Sequence, residues 1–186
     1  MISPTSNDRI GTGVPGLDER VQGGFLKNSS TILAGPSGSG KTTFGFQFAA
    51  QGVRDGLKSM FCSLEESPAE IRTTAKSLDV DVEQLEKKGL ELLAWIPEKQ
   101  SPDALISELA SRIKVLKPSL VVLDGLSTFE HMYSQEMYSI TKRLVNLVES
   151  YGITSIFTYL IDQEPGPVLP PMVYFLFFKT SSFSDT

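Results

Sequence analysis

The stretch GPSGSGKT, Gly35 to Thr42, constrains this chain more than any other. It fits the spacing G-x-x-x-x-G-K-[ST], with the apolar run STILAG before it and the helix-forming run KTTFGFQFAAQGVR after it. Gly35, Gly38 and Gly40 permit the positive φ angles that turn successive backbone N–H groups toward one point. The helix that follows adds its positive end at the same place. Gly35, Pro36, Ser37, Gly38, Ser39, Gly40, Lys41, Thr42 and Thr43 are therefore expected to enclose phosphate. Lys41 is expected to reach the β and γ phosphates of a nucleoside triphosphate, and Thr42 to offer its hydroxyl to Mg²⁺.

A loop of this kind needs a sheet behind it, and the rest of the chain supplies one. KSMFCSL, LELLAWI, SLVVLDG and TSIFTYLI read as further strands. They are continuous apolar runs, as burial on both faces requires. Helices are predicted between them. One starts at Pro68 behind the S-P-x-E signature of Ser67 and Glu70 and runs to about Leu78. A short piece stops at Gly89, another helix starts at S-P-D and ends before Pro118, and one spans about Gln135–Ser150. The last carries Ile140, Leu144, Leu147 and Val148 on one stripe. A short helix is also expected near Gly16–Val21. Alternation of this kind predicts an α/β fold with three layers, α/β/α, around a mostly parallel sheet. Ligands in such folds sit at the carboxyl ends of the strands.

Asp124 closes one strand at that end. A carboxylate there can hold a metal-bound water beside the threonine of the phosphate loop, which makes Thr42 and Asp124 the candidate metal pair. Glu65 and Glu66 close another strand. They can orient and activate an attacking water, or they can be surface acids stabilised by the dipole of the next helix. Position alone leaves both open. No N-K-x-D element occurs in the chain, which favours ATP over GTP.

Composition removes several alternatives. With 17 Lys and Arg against 22 Asp and Glu, the net charge is −5, which speaks against a chain built to coat nucleic acid. A lone cysteine, Cys62, lies in an apolar run and reads as a small buried hydrophobe in a reducing cytoplasm. The start lacks a signal peptide's features, and no stretch is long enough to span a bilayer. His131 reads as a loop histidine and Trp95 as core or sheet edge. Phe44 and Phe48 share a helix face and are expected to pack on the sheet.

Taken together, GTGVPGLDERVQGGFLKNSSTILAGPSGSGKTTFGFQFAAQG, FCSLEESPAEIRTTAKSLDVDVEQLEKKG, KPSLVVLDGLST and YGITSIFTYL resemble a KaiC-type domain of the RecA superfamily. The resemblance covers roughly residues 9 to 160. It implies a RecA-like domain that binds ATP with Mg²⁺ and usually hydrolyses it, assembled as a homo-oligomeric, hexameric ring with nucleotide between subunits. It also implies that the acid pair activates water, with Glu65 as primary base, Glu66 as assistant and Lys41 on the phosphates. Ser127 and Thr158, near later strand tips, become candidates to sense the γ-phosphate. The chain, 1–186, reads as one such domain that stops before the family's last strands. From about Asp162 a tail including MVYFLFF is expected to lack its partners. Three functions compete: a regulatory ATPase with possible autokinase activity, a RecA- or RadA-like DNA-repair ATPase, and a nucleotide-dependent interaction module that does not turn over.

Overall fold

The computed structural model describes residues 8–95, 101–161 and 174–177. Six strands form one sheet: β3 (Ser30–Gly35), β4 (Ser59–Ser63), β5 (Leu90–Ala94), β6 (Leu120–Asp124), β7 (Thr154–Leu160) and β8 (Tyr174–Phe177). Their spatial order is β5-β4-β6-β7-β3-β8, and every pairing is parallel. A separate two-stranded antiparallel piece joins β1 (Arg9–Ile10) to β2 (Phe25–Leu26), with α1 (Leu17–Arg20) between them.

Both faces of the sheet are covered, which explains why its strands are apolar without alternation. In β6, Leu120 and Val122 face one core while Val121 and Leu123 face the other. The first core is closed by α2 (Lys41–Arg54), α3 (Pro68–Ser77), α4 (Val82–Lys88) and the β1–β2 piece. The second is closed by α5 (Pro102–Leu116), α6 (Thr128–Tyr133) and α7 (Met137–Ser150). The result is the expected three-layer α/β/α architecture. Among the described residues, no helix is long and apolar enough to cross a membrane.

Local signals placed most boundaries. The Ser67 hydroxyl accepts from the Glu70 amide while the Glu70 carboxylate accepts from the Ser67 amide, so α3 starts at a complete capping box. Gly56 and Gly89 end α2 and α4 with φ of 84° and 120°. On α7, Ile140, Leu144 and Val148 are buried as the stripe predicts, and Leu147 is partly buried.

Two expectations are corrected and one is extended. Phe44 and Phe48 are buried in the same core as Leu33, Val122 and Ile156 of the sheet, and Phe25 of β2 also meets them edge-on, at ring-centroid distances of 6.1 and 5.4 Å. The glycines of α2 bring the helix close to the sheet. A Cβ on Gly52 would lie 2.2 Å from Leu120 Cδ1, so no larger residue fits between helix and strand. His131 is on a helix, α6, which sequence periodicity did not reveal. Finally, Tyr174–Phe177 is not a strand without a partner, because its backbone pairs in parallel with β3 from Thr31 to Ala34. An open strand edge carries unpaired N–H and C=O groups, and a short strand satisfies them. The rest of the tail after Asp162 lies outside the described residues.

Candidate functional site

The carboxyl ends of β3, β4, β6 and β7 meet around a cavity of about 320 Å³. Its walls include Ser37, Gly38, Gly40, Lys41, Thr42 and Thr43 from the phosphate loop and α2. Glu65, Asp124, Gly125, Ser127, Thr158 and Leu160 complete it. Residues spread over more than a hundred positions of sequence are thus brought to one place by the parallel topology.

The loop has the backbone its glycines predict, with φ of 72° at Gly38 and 87° at Gly40. No side chain caps α2, because Gly40 occupies its N-cap. A helix leaves its first amides without intrahelical partners, so the start of α2 presents donors and a positive dipole to the cavity. The Lys41 ammonium lies at the same rim and donates to the carbonyls of Gly35 and Pro36, at 2.9 and 2.8 Å.

Asp124 is 2 % exposed. Its Oδ1 accepts a 2.6 Å hydrogen bond from the Thr158 hydroxyl, while its Oδ2 is buried without a hydrogen-bond partner. Burial pushes its carboxyl above the ordinary range; the Thr158 and Thr42 hydroxyls oppose that shift, Glu65 adds to it and Lys41 reduces it. A buried carboxylate oxygen with no partner, next to a threonine hydroxyl and a phosphate loop, is a donor set for a hard divalent cation, which takes oxygen ligands. The residues present fit Mg²⁺.

The acid pair divides. Glu65 lines the cavity, exposed at its side, and its Oε1 accepts from the Thr128 hydroxyl at 3.2 Å. Glu66 is not among the lining residues. It is half-buried, and its Oε2 has no hydrogen-bond partner. Burial, followed by the nearby carboxylates of Asp124, Glu70 and Glu65, raises its pKa. Both acids are carried on a turn fixed by Ser63, whose hydroxyl accepts from the amides of Glu65 and Glu66 at 3.2 and 2.8 Å.

Three supporting residues escaped the sequence reading. Ser63 had a signal, a hydroxyl just before the acid turn. Thr128 and Gly125 had none, since their importance comes from Glu65 crossing over them. Gly125 has φ of 95°, and a Cβ there would lie 2.6 Å from Glu65 Cγ. A side chain at 125 would occupy the space Glu65 uses to reach the cavity.

A family model described as "ATPase: KaiC" matches residues 10–170. The circadian clock oscillator protein KaiC of Rippkaea orientalis (strain PCC 8801 / RF-1) is 34% identical over 171 residues, covering 89% of this chain and 32% of its own length. KaiC 1 of Synechocystis sp. (strain ATCC 27184 / PCC 6803 / Kazusa) shows the same identity and coverage. The circadian clock protein KaiC3 of that organism is 29% identical, covering 87% of this chain and 34% of its own length. The chain thus spans about a third of the curated relatives it matches. On these similarities, and in keeping with its fold, the chain belongs to the KaiC family of ATPase domains, within the RecA superfamily of P-loop proteins.

Proposed function

We propose that this chain binds ATP with Mg²⁺ and hydrolyses it, in a regulatory role. The observation that carries the proposal is the convergence of the phosphate loop, Asp124 and Glu65 on one cavity. Residues Gly35 to Thr43 hold the phosphates, through backbone donors, the α2 dipole and the Lys41 ammonium. Thr42 and Asp124 would hold the metal, through the threonine hydroxyl and the unpartnered carboxylate oxygen. When bound, Mg²⁺ neutralises phosphate charge that would otherwise resist attack.

Glu65 is the base. Its carboxylate would hold the attacking water and take a proton as the new O–P bond forms and the bond to the β–γ bridging oxygen breaks. Glu66 assists by its negative charge beside Glu65. The names of the relatives point to clock regulation, and a signalling role here is proposed on that likeness. Assembly into a ring, and transfer of phosphate to a protein hydroxyl instead of water, belong to the same proposal.

The decisive variant is Glu65→Gln with Glu66→Gln. ATP binding should be retained while phosphate release falls about 10²–10⁴-fold, the usual contribution of a general base. Wild-type turnover in the double variant would make the acids structural. A wild-type protein that binds ATP but releases no phosphate would support an interaction module instead. Sizing with and without ATP tests assembly.

A further inference from the structure

Thr158 was expected to sense the γ-phosphate, and its hydrogen bonds argue otherwise. A threonine hydroxyl has one proton to donate. The Gly125 amide donates to Thr158 Oγ1 at 2.7 Å, and an amide cannot do the reverse. The hydroxyl proton therefore points to the other partner, Asp124 Oδ1, at 2.6 Å. Thr158 is 1 % exposed, so no water competes for that proton. Its donor is spent, and it has none left for a phosphate oxygen.

The same residue ties down the segment that follows Asp124. The Leu126 amide donates to the Thr158 carbonyl at 2.9 Å. Two residues further along β7, the Leu160 amide donates to the Ser127 hydroxyl at 3.2 Å. The tip of β7 thus grips residues 124–127 at successive points. Asp124 has two oxygens, and the Thr158 hydroxyl takes one of them. The other, Oδ2, is the buried oxygen with no partner.

We infer that Thr158 is a positioning residue: its hydroxyl selects which oxygen of Asp124 is turned to the metal and keeps Gly125 where Glu65 can pass over it. This rests on the reading of the cavity as a Mg²⁺–ATP site. A carboxylate held at one oxygen cannot rotate freely, so its free oxygen is already aimed before the metal arrives. Outer partners of this kind commonly change metal affinity by about 10–100-fold.

The test measures binding and does not depend on turnover. The affinity of the full chain for a non-hydrolysable ATP analogue is measured with Mg²⁺ and again in EDTA, for wild type, Thr158→Val, Thr158→Ala and Thr158→Ser. In the wild type, Mg²⁺ should tighten binding. In the valine and alanine variants that Mg²⁺-dependent gain should shrink roughly tenfold, with affinity in EDTA unchanged, and serine should restore it. Alanine serves if valine, which keeps the shape but not the hydroxyl, prevents folding. Serine serves if both do, because a serine variant with wild-type folding and no Mg²⁺-dependent gain overturns the inference. A hydroxyl-free variant that folds and keeps the full gain also overturns it. Wild-type protein that binds no analogue, or binds it equally in EDTA, overturns the reading of the site itself, a different result from the loss of Thr158's role alone.

Discussion

The two ends of the sheet carry cavities of opposite character, although β6 and β7 run from one to the other. At the carboxyl ends lies the phosphate-loop cavity of about 320 Å³. At the amino ends lies a larger one, about 500 Å³, between Ile113, Lys117, Pro118, Tyr151 and Ile153. Size would choose the second. Physics chooses the first. In a parallel sheet each crossover helix runs against the strands, so helix N-termini gather at the strands' carboxyl ends. Helix C-termini gather at the other end, with unsatisfied carbonyls and negative dipole ends. The larger cavity sits where α5 and α7 finish. Lys114 and Lys117 there place positive charge against those negative ends, a structural use of lysine. Lys41, beside a helix start, adds to a positive end that is already in place.

This contrast can be broken by charge removal. Lys41→Ala should weaken ATP binding roughly 100-fold, as expected when charge-assisted hydrogen bonds of about 1.5–3 kcal/mol are lost. Lys114→Ala with Lys117→Ala should leave it unchanged. Equal losses in calorimetric titrations of the two variants would erase the distinction between the ends.

A smaller effect sharpens the first cavity. Gly125→Ala forces a positive φ on a residue with a Cβ, at about 1–2 kcal/mol, and drives that Cβ toward Glu65 Cγ. ATP binding should persist while phosphate release falls about 10²-fold, the usual effect of a catalytic group displaced by an ångström. Normal turnover in the alanine variant would show that Glu65 reaches its water by another route.

The smallest effect belongs to the second cavity. Lys117 caps α5 in the left-handed region, with φ of 54°. Lys117→Gly should stabilise the fold by about 0.5–1 kcal/mol, since glycine takes that conformation without strain. Thermal melting should show the gain with ATP affinity intact. A loss of stability would mean that the lysine charge matters more than the backbone.

The legibility of the two ends differs for the same reason. The phosphate loop is local: its glycines, lysine and threonine lie within one turn, and spacing alone reveals them. Asp124 and Glu65 were legible because each ends an apolar strand, and strand tips converge in this fold. Gly125 and Thr128 were not, because their roles depend on how one chain segment crosses another; Ser63 was overlooked although its contacts are local. The β1 and β2 strands are two residues each, too short to show a period. Phe44 and Phe48 were placed on the correct helix face, in the core they share with the sheet, but their second neighbour was not foreseen. Nothing in α2 announces that Phe25 will come over it.

By itself, the sequence determined the five central strands and the longer helices between them, the phosphate loop and the acids at the strand tips. These follow from short-range rules: apolar runs, capping residues and glycines at fixed spacing. Only the tertiary structure decided that Thr158 spends its proton on Asp124 and that Gly125 leaves room for Glu65. Each is a contact between atoms far apart in sequence, and such contacts depend on three-dimensional packing that no local pattern encodes.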